Sequence, residues 1–141
     1  MSSLGRPGGD DHPDAALKHL EDVGVLLSNG RADGAAYLAG YTVECSLKSL
    51  LQVETGQRQT GHDLGTLQQE VVATCTLAGA KTARYIGPSV RGFGTAALAS
   101  WEPSLRYRSP VVTLIEATRW HREADNFYKS TIGQMLLDGV I

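Results

Sequence analysis

The sequence predicts an all-α up-and-down bundle of four main helices. Four segments place apolar residues at intervals of three and four, which is the period of a helix packed on one face. No segment alternates apolar and polar residues as a half-buried strand does. At 141 residues the chain has room for one domain with its own core. We therefore expect residues 1–12 to be a flexible lead and residues 13–141 to form a single bundle.

The first helix is predicted to begin at Pro13. Residues 1–12 mix glycine, serine, proline and aspartate without a period. A proline suits the first turn of a helix, and Asp14 places a negative charge where the helix dipole favours one. Apolar residues at helical spacing continue to Leu27, and the Asn29-Gly30 pair supplies a stop.

The second helix is predicted from about Ala32 to Val53, and it carries an unusual polar face. Tyr37, Tyr41, Glu44 and Lys48 follow one another at positions i, i+4, i+7 and i+11. Glutamate four residues before lysine is the favourable orientation for a helical ion pair, worth about 0.2–0.5 kcal/mol when exposed. An exposed salt bridge is the plain interpretation of this pair, and a chemical role is the alternative.

A third helix and a long irregular segment are predicted next. After the polar break TGQRQTGHDL, residues 64–75 again have the helical period. Residues 79–94 contain four glycines and a proline, so we expect a loop or short irregular helices there, followed by a short helical piece over residues 95–100.

The final helix has a predicted start at Ser109-Pro110, a capping hydroxyl followed by proline. It is expected to continue through STIGQMLL towards Gly139. The residues expected on its inward side are Val111, Leu114, Ile115, Thr118, Trp120, Ala124, Phe127 and Tyr128.

Composition argues against membrane insertion and against a metal or cofactor. No apolar run approaches the ~20 residues of a membrane-spanning helix, and residues 1–12 have no signal-peptide pattern. A cytoplasmic location is the expectation. Cys45 and Cys75 lie in apolar helical segments, where a thiol behaves as a small hydrophobe. A disulfide between them is disfavoured, and their spacing does not match a zinc site.

Positive charge is concentrated in the middle of the chain. The net charge of the whole chain is −2, yet residues 79–122 carry seven basic and two acidic side chains, a net charge of +5. Arginines there alternate with aromatic residues, a pattern typical of single-stranded nucleic-acid binding. The alternative is that the arginines are solvated while the rings pack in the core. The aromatic residues concerned are Tyr85, Phe93, Trp101, Tyr107 and Trp120.

Three fragments in this order, GAAYLAGYTVECSLKSLL, TGHDL and WEPSLRY, resemble the HEPN domain family. The resemblance spans residues 14 to about 130. It implies a small helical bundle of the kind found in bacterial toxin–antitoxin and defence systems, with RNA or a nucleotide as ligand and a nucleotidyltransferase-type antitoxin as partner. It also implies a homodimer paired through the last helices, for which the expected apolar surface is Trp120, Phe127, Tyr128 and Ile132.

Many members of that family are metal-independent ribonucleases that use an arginine followed, after four to six residues, by a histidine. Such chemistry needs a group that moves protons and a cation that stabilises the phosphorane. No histidine stands at that distance after Arg106 or Arg108. The one formal match, Arg6 to His12, lies in the N-terminal lead, and we interpret it as accidental.

The resemblance therefore implies a degenerate site. Arg106 would contact phosphate, and His62 would substitute for the missing histidine, although a structural hydrogen bond is the simpler interpretation of His62. Loss of one positioned acid–base group typically costs 10²–10⁴-fold in rate, so weak or no RNA cleavage is expected. The alternative function is a non-catalytic dimeric module that binds a nucleotidyltransferase-type partner. The residues expected to bind nucleic acid or nucleotide are Arg106, Tyr107, Arg108, Glu44 and Lys48.

Overall fold

The computed structural model describes residues 2–5 and 9–141, and its regular structure there is helical throughout. The helices are α1 (His12–Ser28), α2 (Ala32–Thr55), α3 (Leu64–Cys75), the single turn α4 (Pro88–Arg91), α5 (Leu114–Tyr128) and the single turn α6 (Gln134–Leu137). A π-helical turn, Lys129–Gly133, joins α5 to α6. The predicted all-α bundle of four main helices, α1, α2, α3 and α5, is confirmed.

The longest helix, α2, is the centre of the bundle. It packs against α1, α3 and α5. Its apolar stripe, from Ala36 through Val43 and Leu47 to Leu51, is fully buried. Small residues on the same helix let its neighbours approach closely, and Gly40 is the extreme case, since the Trp101 ring lies directly against it. Cys45 and Cys75 are free and buried, and burial raises the pKa of the Cys45 thiol to about 12.

The segment between α3 and α5 is a chain of short helical turns, as the glycine content predicts. Besides α4 it contains four 3₁₀ turns, the last of which is Pro103–Tyr107. The segment is anchored by Trp101, which is 5% exposed and donates its Nε1–H to the carbonyl oxygen of Tyr37 at 3.0 Å. This anchor fixes the position of the Pro103–Tyr107 turn relative to α2.

The predicted start of the last helix at Ser109-Pro110 is wrong. The helix begins at Leu114, where Thr113 and Glu116 form a capping box: each side chain accepts a hydrogen bond from the other residue's backbone N–H. Residues 108–113 before the helix are not helical. The backbone N–H groups of Val111 and Val112 donate to Asp33 at the start of α2, at 3.1 and 3.3 Å.

The predicted inward side of α5 is wrong at its first turn. The buried face starts at Ala117 and continues through Ala124, Phe127 and Tyr128. Ile115 precedes Ala117 by two residues, about 200° around the helix, and is 84% exposed. Val111, Leu114 and Thr118 are exposed as well.

The expected dimer surface also needs correction, because most of it is buried inside one chain. Phe127, Tyr128 and Ile132 belong to the core of the bundle, and Trp120 is half-buried. Phe127, Tyr128 and Ile132 are therefore not exposed for association with a second chain.

The described residues of the N-terminal lead contact the bundle. Ser2 is buried and donates its hydroxyl to Asp11 at 2.8 Å, and Gln52 of α2 donates to the carbonyl oxygen of Leu4 at 3.3 Å. Asp11 also caps α1, whose first residue, His12, precedes the predicted start by one position. Within residues 2–5 and 9–141, the structure contains no helix long and apolar enough to cross a membrane.

Candidate functional site

The polar face of α2 is buried at its centre. Glu44 is 3% exposed, and its Oε1 accepts a hydrogen bond from Lys48 Nζ at 2.7 Å, with the lysine also buried. The predicted ion pair exists, but its assignment to the solvent surface is wrong. The reason is tertiary packing: the chain that follows α2 returns over this face and brings His62 onto the glutamate.

His62 completes a three-residue group. Its Nδ1 lies 3.1 Å from both carboxylate oxygens of Glu44. A carboxylate only accepts hydrogen bonds, so Nδ1 carries the proton and Nε2 of the neutral ring is an acceptor. The backbone around His62 is fixed because Asp63 caps α3, accepting from Thr66 N–H at 2.7 Å, and Leu64 is buried. The imidazole itself is 60% exposed.

A row of aromatic hydroxyls links this group to the basic segment. Tyr37 donates its hydroxyl to that of Tyr41 at 3.1 Å, and the Tyr41 ring meets His62 edge-on with ring centroids 6.3 Å apart. Arg106 donates from Nη1 to the Tyr37 hydroxyl at 3.4 Å. Together, Tyr37, Tyr41, Glu44, Lys48, His62 and Arg106 form what we call the polar ridge.

Burial and hydrogen bonding raise the pKa values of two groups in the polar ridge, Tyr41 and Arg106. Burial first, and then the hydrogen bond with Tyr37, raise the pKa of Tyr41 well above the ordinary value for tyrosine. The hydrogen bond to Tyr37 raises the pKa of Arg106. At neutral pH, Tyr41 is therefore a neutral hydroxyl and Arg106 a fixed cation.

The rest of the predicted basic and aromatic surface divides in two. Tyr85, Phe93 and Trp101 are buried, whereas Tyr107 is 76% exposed with the guanidinium of Arg106 over its ring, 4.6 Å from the centroid. Arg108 turns to a different partner and forms an ion pair with Glu102. The structure thus groups Arg106 and Tyr107 with the α2 face, and Arg108 with an acidic neighbour.

Several residues that adjoin the site were missed by sequence reasoning. His12 is buried, and burial, followed by the positive charge of Lys48, lowers the pKa of its imidazole. His19 of α1 packs against Tyr41 with ring centroids 5.7 Å apart, and its Nδ1 is buried without a hydrogen-bond partner. Helical spacing had already placed Tyr37 and Tyr41 beside Glu44. For His12 the sequence offered only the formal Arg6–His12 match, which we interpreted as accidental, and for His19 it offered no signal. The formal Arg6–His12 motif involves a residue outside the described part of the chain.

Chemically, the site combines an exposed cation with a histidine held by a buried carboxylate, on the surface of an all-α bundle. The family model of the HEPN domain matches residues 11–130, most of the chain. The protein therefore belongs to the HEPN domain family, whose membership implies a function related to nucleotides or RNA, often in toxins or defence. Comparisons with curated proteins and with solved structures find no match.

Proposed function

We propose that the protein binds single-stranded RNA on the exposed surface formed by Arg106, Tyr107 and His62, with the buried Glu44 and Lys48 supporting His62 from below. The observation that carries this proposal is the pairing of an exposed guanidinium with an exposed tyrosine ring, held against α2 through Tyr37. A cation offers a phosphate contact, and the ring beside it offers a surface on which a base stacks. Family membership supports RNA as the ligand class.

The charge of Arg106 is better placed for phosphate than that of its neighbours. Arg84, Arg108 and Arg119 form ion pairs with Asp138, Glu102 and Glu123 respectively. Arg106 instead hydrogen-bonds to a neutral hydroxyl, which leaves its positive charge uncompensated by that contact. Because Arg108 would have to leave Glu102 to reach a phosphate, we assign it the smaller share of binding.

Binding is measured by fluorescence anisotropy with a labelled single-stranded RNA at several salt concentrations. Arg106→Ala should weaken binding and reduce the slope of log affinity against log salt by about 0.7, the value for one phosphate contact on a single strand. Two matched controls, Lys18→Ala and Arg31→Ala, remove exposed cations elsewhere and should leave affinity nearly unchanged. Tyr107→Ala should cost about 1–3 kcal/mol of binding free energy, and Tyr107→Phe should retain it. Affinity indifferent to salt, or equal losses in the controls, would refute the site.

A second candidate function, a dimeric interaction module, is favoured by one observation. Val111, Leu114 and Ile115 expose apolar surface at the start of α5, and Leu114, Ile115, Thr118, Arg119 and Arg122 line a shallow groove there. Such a patch is typical of association surfaces. In this proposal two copies pair through α5, and a nucleotidyltransferase-type antitoxin is the further partner in a cytoplasmic toxin–antitoxin or defence system.

Sedimentation should show that the wild-type protein is a dimer and that Ile115→Asp dissociates it. Leu137→Asp changes another exposed apolar residue and is the control, which should remain a dimer. A wild-type monomer at micromolar concentration would refute the pairing.

A further inference from the structure

We propose that the cleft between the first turns of α5 and the 3₁₀ turns that precede it binds a small aromatic monocarboxylate. The cleft has a volume of about 450 Å³, within the range of about 300–1,000 Å³ that is usual for small-molecule sites. None of the residues that line it belongs to the polar ridge, and neither does it include Tyr107. Binding in this cleft is therefore independent of the proposed RNA surface.

The apolar part of the lining suits a flat ring. Leu105 of the last 3₁₀ turn is buried, and Val112 and Trp120 are half-buried. Val111 adds a further aliphatic side chain, and the backbone N–H groups of Val111 and Val112 are held by Asp33. An aromatic ligand can pack against the indole ring in a stacked or edge-on arrangement, which a saturated ring of similar size does not offer.

The charged part of the lining favours a single negative charge on the ligand. Arg108 and Arg119 contribute two positive charges and Glu116 one negative charge, so the lining carries a net charge of +1. Glu116 is itself committed to the capping box, where it accepts from Thr113 N–H at 2.8 Å. A carboxylate matches the donors of a guanidinium and neutralises the lining. A phosphorylated ligand would leave an excess of negative charge there.

Both arginines can exchange their present partners for the ligand. Arg108 pairs with Glu102, and Arg119 Nε lies 3.4 Å from Glu123, with both guanidinium side chains more than half exposed. Exposed ion pairs of this kind contribute little to stability, so exchanging them costs little. Glu123 also accepts hydrogen bonds from two backbone N–H groups, at 3.1 and 2.8 Å, and these remain when Arg119 turns to a ligand.

The probe is 2-naphthoate, titrated into the full chain by isothermal calorimetry. A ligand of this size should bind with a dissociation constant of about 1 mM or tighter. The neutral amide, 2-naphthamide, should bind about tenfold more weakly, because it cannot form a charged hydrogen bond with a guanidinium. Cyclohexanecarboxylate, which keeps the charge but lacks the aromatic ring, should also bind more weakly than 2-naphthoate.

Two pairs of variants locate the bound probe. Val111→Asp adds a negative charge to the lining at an exposed position and should weaken binding about tenfold or more, whereas Ile115→Asp makes the same change outside the cleft and should bind normally. Arg119→Gln should weaken binding about tenfold, and Arg122→Gln, which changes an arginine of α5 outside the cleft, should not. Circular dichroism checks that each variant folds.

Three results would overturn the proposal. The first is absence of binding by the wild-type protein at about 10 mM probe, well above the expected dissociation constant. The second is equal affinity for 2-naphthoate and 2-naphthamide, which would remove the case for a carboxylate. The third is a loss of affinity in Ile115→Asp and Arg122→Gln that equals the loss in Val111→Asp and Arg119→Gln, which would place the probe in the shallow groove of α5 instead of the cleft.

Discussion

Gly40→Ala is a sharp test of how the irregular segment is attached to α2. A Cβ atom at position 40 would lie 2.1 Å from two carbon atoms of the Trp101 ring and 2.2 Å from its Nε1. Trp101 is 5% exposed and cannot move without giving up its packing or its hydrogen bond to the Tyr37 carbonyl. The substitution should therefore displace the ring.

The magnitude follows from three contributions. Overpacking a core typically costs about 1–3 kcal/mol. Loss of the Trp101 hydrogen bond adds about 1 kcal/mol. Replacing a glycine inside a helix by alanine returns about 0.5–1 kcal/mol. The expected net loss in the free energy of unfolding is about 1–3.5 kcal/mol.

Urea denaturation monitored by circular dichroism measures this loss, and tryptophan fluorescence in a Trp120→Phe background reports on Trp101. Gly24→Ala is the matched control: it changes a glycine in α1 that has no atom within 4 Å of its Cβ position, and it should raise stability by about 0.5–1 kcal/mol. RNA affinity of Gly40→Ala should also fall, because Trp101 positions the turn that carries Arg106. Equal stabilisation by the two substitutions, with unchanged fluorescence, would refute the contact.

Three further predictions concern capping, pH and the buried ion pair. Thr113→Ala should destabilise the protein by about 1 kcal/mol in urea denaturation, whereas Ser109→Ala should have no effect; the reverse order would restore the sequence-based helix start. Because burial lowers the pKa of His12, the unfolded chain binds a proton at higher pH than the folded one, so stability is full above the ordinary value of 6.5 and should decline as pH falls below it. Unfolding measured from pH 7.5 to 5.5 should show this decline, reduced in His12→Gln, and an unchanged slope in that variant would contradict the assignment. Glu44→Leu alone should cost about 3–5 kcal/mol because it strands the buried Lys48, and adding Lys48→Met should recover most of that loss.

The helices could be predicted from sequence because their buried faces follow a simple period. The bounds of α3 agree with the prediction, and α1 differs by one residue at its start. The start of α5 was missed because two signals competed within five residues. Ser109-Pro110 has a suitable cap and proline, but Thr113 and Glu116 satisfy two backbone donors reciprocally, and Asp33 accepts hydrogen bonds from the preceding N–H groups of Val111 and Val112. The second signal was present in the sequence; the Asp33 contact was not.

The candidate site was predictable in its members more than in its environment. Spacing alone placed Glu44 and Lys48 on one helical face, but an exposed pair and a buried pair have the same spacing. Burial depends on which segment packs over the helix, and that is determined by the tertiary structure. The contact from His62 to Glu44 crosses a loop whose path no local rule determines. His12 and His19 of α1 also lie near this region, and their positions likewise depend on tertiary packing and not on local sequence.

We expect the buried ion pair of α2 to serve the proposed site more than it serves stability. Removing two charges from water costs several kcal/mol for each ion, and apolar replacements of similar volume are often as stable or more so. Alanine, valine and leucine already fill the neighbouring positions of α2. Apolar side chains at positions 44 and 48 would therefore be the simpler way to fill this buried face. What an apolar pair does not provide is a fixed carboxylate for His62 Nδ1. A double variant, Glu44→Leu with Lys48→Met, that keeps its free energy of unfolding yet loses RNA affinity would therefore separate the two roles, because stability and the orientation of the His62 imidazole depend on the pair in different ways.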